Sequence, residues 1–136
     1  MRALVFASLL ALAACDTATV DTESADAAGI VGTWDWERST YYETASGQPV
    51  THTPATAGYT ETYVFDADGS VAIYLNGALE RSAPYAIRRR VYANGTQSED
   101  VRLIIGDHDV GFDVSGDRLV LDDRSVDGPL AHYRRR

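Results

Sequence analysis

The sequence contains no lysine: all 12 of its cationic side chains are Arg, and they face 20 Asp and Glu for a formal net charge of −8. That acidic balance argues against a nucleic-acid partner, because phosphate binding needs a net basic face. One Cys, Cys15, excludes an intrachain disulfide and any Cys-built metal centre. No apolar run reaches the roughly 18 residues of a membrane-spanning helix. No segment carries a convincing 3.6-residue apolar period, which speaks against a helix-rich fold. Catalytic signatures are missing too, with neither a Gly-x-Ser-x-Gly elbow nor a His-Glu-x-x-His pair. His52, His108 and His132 fall at spacings that predict no shared site. No enzymatic activity, metal or cofactor is therefore expected. What remains is 45% hydrophobic and 24% charged, enough to bury a core.

Residues 1–14 read as an address. Arg2 supplies a positive start, and Ala3 to Ala14 form an apolar run broken only by Ser8, too short to span a bilayer but suited to a signal peptide. The tetrad Leu12-Ala13-Ala14-Cys15 resembles the lipobox of bacterial lipoproteins. That resemblance implies cleavage before Cys15 and acylation of its thiol, making Cys15 a lipid anchor in the cell envelope. Two or three acyl chains hold a protein stably on a membrane, where one does so marginally. The alternative is an ordinary secretory signal cut after Ala11-Leu12-Ala13. The inner or outer membrane is left open.

Residues 15–29 hold small and acidic side chains with one large apolar residue, Val20, and are expected to form a flexible linker.

Residues 30–136 read as short antiparallel strands. Turn signals recur at Asp66-Ala67-Asp68-Gly69, Asn76-Gly77, Asn94-Gly95 and Ser115-Gly116-Asp117, the spacing of a sandwich or barrel. Strands are predicted near 31–40, 59–65, 70–75, 78–82, 84–92, 100–105, 109–114, 118–122 and 129–135. A two-residue turn at Gly116-Asp117 sets Val114 opposite Leu119 and Phe112 opposite Leu121. A four-residue loop at Gly106 to Asp109 sets Leu103 opposite Phe112. Three strands then share one apolar face, which a one-residue slip would destroy. A strict two-residue turn at Asn94-Gly95 would mix faces, so a longer connection or bulge is expected between Val91 and Val101. Along Arg88-Arg89-Arg90, at least one Arg must point inward or lie past the rim. Asp66-x-Asp68-Gly69 lacks the Gly and Glu that a calcium loop needs at its sixth and twelfth positions, and is better explained as a turn.

Gly32-Thr33-Trp34 resembles the Gly-x-Trp signature of lipocalins. With Thr53-Pro54, Gly58-Tyr59-Thr60, Phe65-Asp66-Ala67-Asp68-Gly69, Asn76-Gly77 and Tyr133-Arg134-Arg135, residues 30–136 are similar to small bacterial lipocalin-like lipoproteins. The resemblance implies an antiparallel up-and-down barrel of about eight strands. It also implies that Trp34 closes one end beneath Arg134 or Arg135. A barrel of eight strands is filled by its own side chains or holds one small ligand.

Tyr41 opens a long loop to Gly58, the counterpart of the lipocalin lid. Trp36, Tyr41, Tyr42 and Tyr59 are the candidate contacts there. Two functions stay open. One is binding of a small apolar or amphipathic molecule at the barrel mouth by a monomer. The other is a non-enzymatic protein-interaction module, an inhibitor or accessory subunit, with a filled core.

Overall fold

A computed structural model describes residues 19–23, 29–93, 97–123 and 128–136. The leader, Cys15, the remainder of the linker up to residue 28 and the turn signal at Asn94-Gly95 lie outside the described residues. In chain order the elements are β1 (Thr19–Glu23), β2 (Gly32–Tyr42), β3 (Pro49–His52), the single-turn α1 (Pro54–Ala57), β4 (Glu61–Phe65), β5 (Ser70–Leu75), β6 (Ala78–Ala93), β7 (Gln97–Ile105), β8 (His108–Ser115), β9 (Arg118–Asp122) and β10 (Leu130–Arg135). The fold is all-β, as period-two patterning predicts. No helix among the described residues is long and apolar enough to cross a membrane.

Eight strands close a ring. From β4 to β10 each strand pairs antiparallel with the next, β4 also pairs β2, and β10 returns to β2. Chain direction reverses at every step. The ends of β2, β5, β7 and β9 and the starts of β4, β6, β8 and β10 therefore share one rim, the mouth. The opposite rim is plugged.

The expected hairpin at Gly116-Asp117 forms in the predicted register, with Val114 opposite Leu119 and Phe112 opposite Leu121. The neighbouring hairpin differs. Gly106-Asp107 alone makes the turn, so Ile105 faces His108 and Leu103 faces Val110. This register is two residues from the expected one, and a shift of two preserves the face. Leu103, Ile105 and Val110 are all buried. The β6–β7 connection is longer than a two-residue turn, because Ala93 pairs with Gln97. That register sets Arg89 opposite Val101, in the inward phase of Ile87, and Arg89 is half-buried.

The two strands expected at 78–82 and 84–92 are one continuous β6. Pro84 does not break it. Its carbonyl accepts from Gly106 N–H at 2.8 Å, so its missing donor falls on that same side, where the β7 ladder has ended.

The linker expected over 15–29 needs a correction: Thr19–Glu23 pair as β1 with Val91 to Ile87 of β6. Strand β6 outruns β5, whose last partner there is Pro84, and leaves backbone groups on that edge to be satisfied. A count of buriable side chains overlooks pairing made by the backbone alone. The segment 41–58 is likewise more than a loop. β3 folds back on the end of β2, and α1 follows with Thr53 as its N-cap.

The core fills the ring from its plugged end. Ile30, Trp34, Phe65, Val71, Ile73, Ile87, Leu103 and Leu119 are fully buried. Trp34 donates its indole N–H to the Ile30 carbonyl at 2.7 Å, and the Arg135 guanidinium lies 4.2 Å from the ring centroid. Arg135 also donates to the carbonyls of Val31 (2.7 Å) and Gly29 (2.6 Å), fastening the entering chain across the end. Arg135, not Arg134, therefore covers Trp34. Arg134 occupies the opposite phase of β10 and pairs outside with Glu37 and Asp117. Gly32 adopts φ +139°, in the region that favours glycine, and a Cβ there would stand 2.6 Å from Arg135 Nη1.

Candidate functional site

The inward phase of β4 runs Glu61, Tyr63, Phe65. Pairing with β5 sets these opposite Leu75, Ile73 and Val71. An acid thus enters the interior at the mouth, in phase with Tyr63 and Phe65. Its partner comes from β10: Tyr133 O–H donates to Glu61 Oε1 at 2.7 Å. Tyr63 meets Tyr133 edge to face, with centroids 5.2 Å apart.

Burial dominates the titration of these groups. It raises the Glu61 carboxyl above its usual range, with a further push from Glu80, while the Tyr133 hydrogen bond and Arg81 pull the other way. Burial, helped by the Glu61 charge, pushes Tyr63 up to about 12. Burial also holds Tyr133 well above the ordinary phenol value. Both phenols stay protonated at neutral pH, and Tyr133 is fixed as donor to Glu61.

Above this cluster lies a cavity of about 140 Å³. Ile105, Val110, Leu121 and Ala131 form its apolar wall, and Tyr63, Tyr133, Arg81, His108 and Asp123 supply polar atoms. His108 Nε2 approaches Asp123 Oδ2 to 3.9 Å. The arrangement offers a recess for a small group, with hydrogen-bond donors and acceptors among its apolar lining.

None of the four aromatic residues expected to contact a ligand lines this recess. Trp36 is buried opposite Tyr133 in the ladder, donates to Ser39 Oγ at 2.9 Å and stacks on Tyr59 with centroids 5.1 Å apart. Tyr41 stacks on His52, and its hydroxyl lies 3.0 Å from Nε2 of that ring. Tyr42 is 65% exposed. The structure thus joins Trp36 with Tyr59, while Tyr41 belongs to the β2–β3 hairpin.

Sequence reasoning missed Glu61, Arg81 and Tyr133. The signal was available for Glu61, the one acid in the inward phase of β4. Tyr133 needed the β10–β2 closure, which local pattern does not reveal.

The large exposed apolar side chains among the described residues are Tyr42, Tyr59, Leu79 and Leu130. All four stand at the mouth: at the end of β2, just before β4, and at the starts of β6 and β10. Asp66-x-Asp68-Gly69 is a turn, in which Asp68 Oδ1 accepts from the Ser70 backbone N–H and hydroxyl. No group of three metal-ligating side chains converges among the described residues. No family model, curated protein or solved structure matches the chain.

Proposed function

We propose that this chain is a lipocalin-like envelope lipoprotein, held to a bacterial membrane by acyl chains on Cys15, whose ring serves as a non-catalytic module for binding a protein partner. The filled interior carries this reading. The side chains from Trp34 to Leu119 occupy the ring and leave about 140 Å³ at the mouth. Pockets for drug-sized ligands start at about 300 Å³. Meanwhile Tyr42, Tyr59, Leu79 and Leu130 expose apolar surface around that same rim, the chemistry enriched at interface centres. The Gly32–Trp34–Arg135 closure supports the lipocalin likeness.

The experiment places a photo-crosslinking residue at Tyr42 or Leu130 of the full chain in its own host, with Asp113 on the outer wall as control. A discrete protein adduct from the rim positions, absent from the control, is expected. A rim that captures no protein overturns the reading. Acylation has its own test, the mass of the peptide beginning at Cys15 and release of the Cys15→Ala chain from membranes.

A second reading rests on the recess itself. A cavity of roughly 150 Å³ can hold a benzene-sized group, so the end of a small amphipathic molecule fits beside Tyr63 and Tyr133. Native mass spectrometry separates the two: a co-purifying small molecule favours this reading, and a bare mass favours the first.

A further inference from the structure

We infer that the outer wall of the ring carries a second site, a groove for a small oxyanion of the phosphate type, formed by Arg38 on β2, Arg118 on β9 and His132 on β10. The groove measures about 270 Å³, and Glu37, Thr53, Arg134, Leu119 and Tyr133 also line it. It lies outside the ring, in the opposite phase to Trp36, Leu119 and Tyr133, and shares nothing with the mouth recess except Tyr133.

The ladder opposes like charges there: Arg134 pairs with Arg118 across β10–β9, and beside them His132 pairs with Arg38 across β10–β2. Cation opposite cation destabilises a sheet. A bulge adds to it. The β10–β2 register slips between His132 and Tyr133, so Glu37 and Arg38 both answer to one residue of the partner strand. Bulges re-aim side chains in this way and gather beside functional sites.

Counterions do not resolve the crowding. Arg134 pairs with both Glu37 and Asp117 at 2.7 Å. Among the described residues Arg38 and Arg118 hold no ion pair, whereas Arg102 has Asp109 and Arg136 has Asp35. In a chain of net charge −8, Arg38, Arg118 and Arg134 set three guanidiniums against the carboxylates of Glu37 and Asp117, a local excess of one positive charge. Guanidinium forks match phosphate oxygens two at a time.

His132 reports on the groove. Burial and the charges of Arg38 and Arg118 lower its pKa, with Glu37 alone opposing them. A bound anion reverses the electrostatic part of that shift, so the imidazole gains a proton as the site fills.

The same chemistry is presented by free phosphate and by the phosphate of a lipid headgroup. In the first arm, inorganic phosphate is titrated into the full chain at constant ionic strength, with chloride as the replaced anion. The His132 resonances are followed by NMR. A saturable shift and a raised His132 pKa are expected, with His52 and His108 unmoved. Arg38→Gln and Arg118→Gln should each weaken the response and together abolish it. Arg102→Gln, on another part of the wall, should leave it intact. In the second arm, flotation with phosphatidylglycerol vesicles uses the chain carrying Cys15→Ala, so that no acyl chain holds it. Flotation lost with Arg38→Gln assigns the headgroup, and phosphate saturation without flotation assigns the free anion. A phosphate response that is linear, equal to chloride or unchanged in the single Arg variants, together with no Arg-dependent flotation, overturns the site.

Discussion

Arg135 stands where a side chain on Gly32 would have to be: Nη1 is 2.6 Å from the position a Cβ would take. The glycine of the Gly-x-Trp triplet is therefore coupled to the far end of the chain. It gives way to a guanidinium that covers Trp34 and fastens the carbonyls of Gly29 and Val31. Gly32→Ala should destabilise the chain by about 1–3 kcal/mol, through backbone strain at φ +139° and displacement of Arg135. Arg135→Ala should cost about as much by leaving two carbonyls without their donor. The double variant should cost less than the two singles added, with a coupling of about 0.5–3 kcal/mol for residues in contact. Additive losses in chemical denaturation would refute the coupling.

Glu61 makes stability fall as pH rises. Its folded pKa lies above that of a free glutamate, so between the two values the folded chain binds more protons than the unfolded one. The favourable protonated state is fully present below that window and is lost through it. Glu61→Gln keeps an acceptor for Tyr133 without the buried charge. It should melt above wild type near neutral pH, and the gain should shrink toward zero below pH 4. A pH-independent difference, or a lower melting temperature at pH 7, would count against this account.

Tyr133→Phe should push Glu61 further up, since the hydrogen bond it removes is what opposes the burial effect. Carboxyl-carbon NMR titration measures this directly. An unchanged or lower Glu61 pKa would mean that the hydroxyl is not the partner the geometry indicates.

Neighbouring residues of β9 should respond oppositely to truncation. Leu119 is fully buried opposite Val114, while Val120 points outward opposite Asp113. Leu119→Ala should cost about 2–5 kcal/mol, and Val120→Ala within about 1 kcal/mol. Equal losses would mean the register is wrong.

That register was legible because Gly116, at φ +61°, fixes a two-residue turn between strands whose apolar phases agree. The adjacent hairpin was misjudged by two residues. His108 and Asp109 look like loop, yet they begin β8 as exposed residues at the rim, where polar side chains are no obstacle to pairing. The core survived because a shift of two leaves every side chain on its face. Less local features escaped. The bulge at Glu37 and Arg38 carries no glycine or proline to announce it and arises only when the last ring strand meets the first. Tyr133 reaches Glu61 through the same closure. Trp36 and Tyr59, expected as ligand contacts, stack on each other instead of lining the recess.

Strand β1 has a consequence for how copies of the molecule treat one another. Each ring strand has a neighbour on both sides, and the stretch of β6 from Ile87 to Val91 that extends past β5 is covered by Thr19–Glu23. Proteolytic trimming before residue 24 would strip that cover and leave a sticky margin of raw amides and carbonyls. A clipped molecule should seek a neighbour's strand as replacement, so intact and shortened forms ought to differ in self-association while keeping the same barrel.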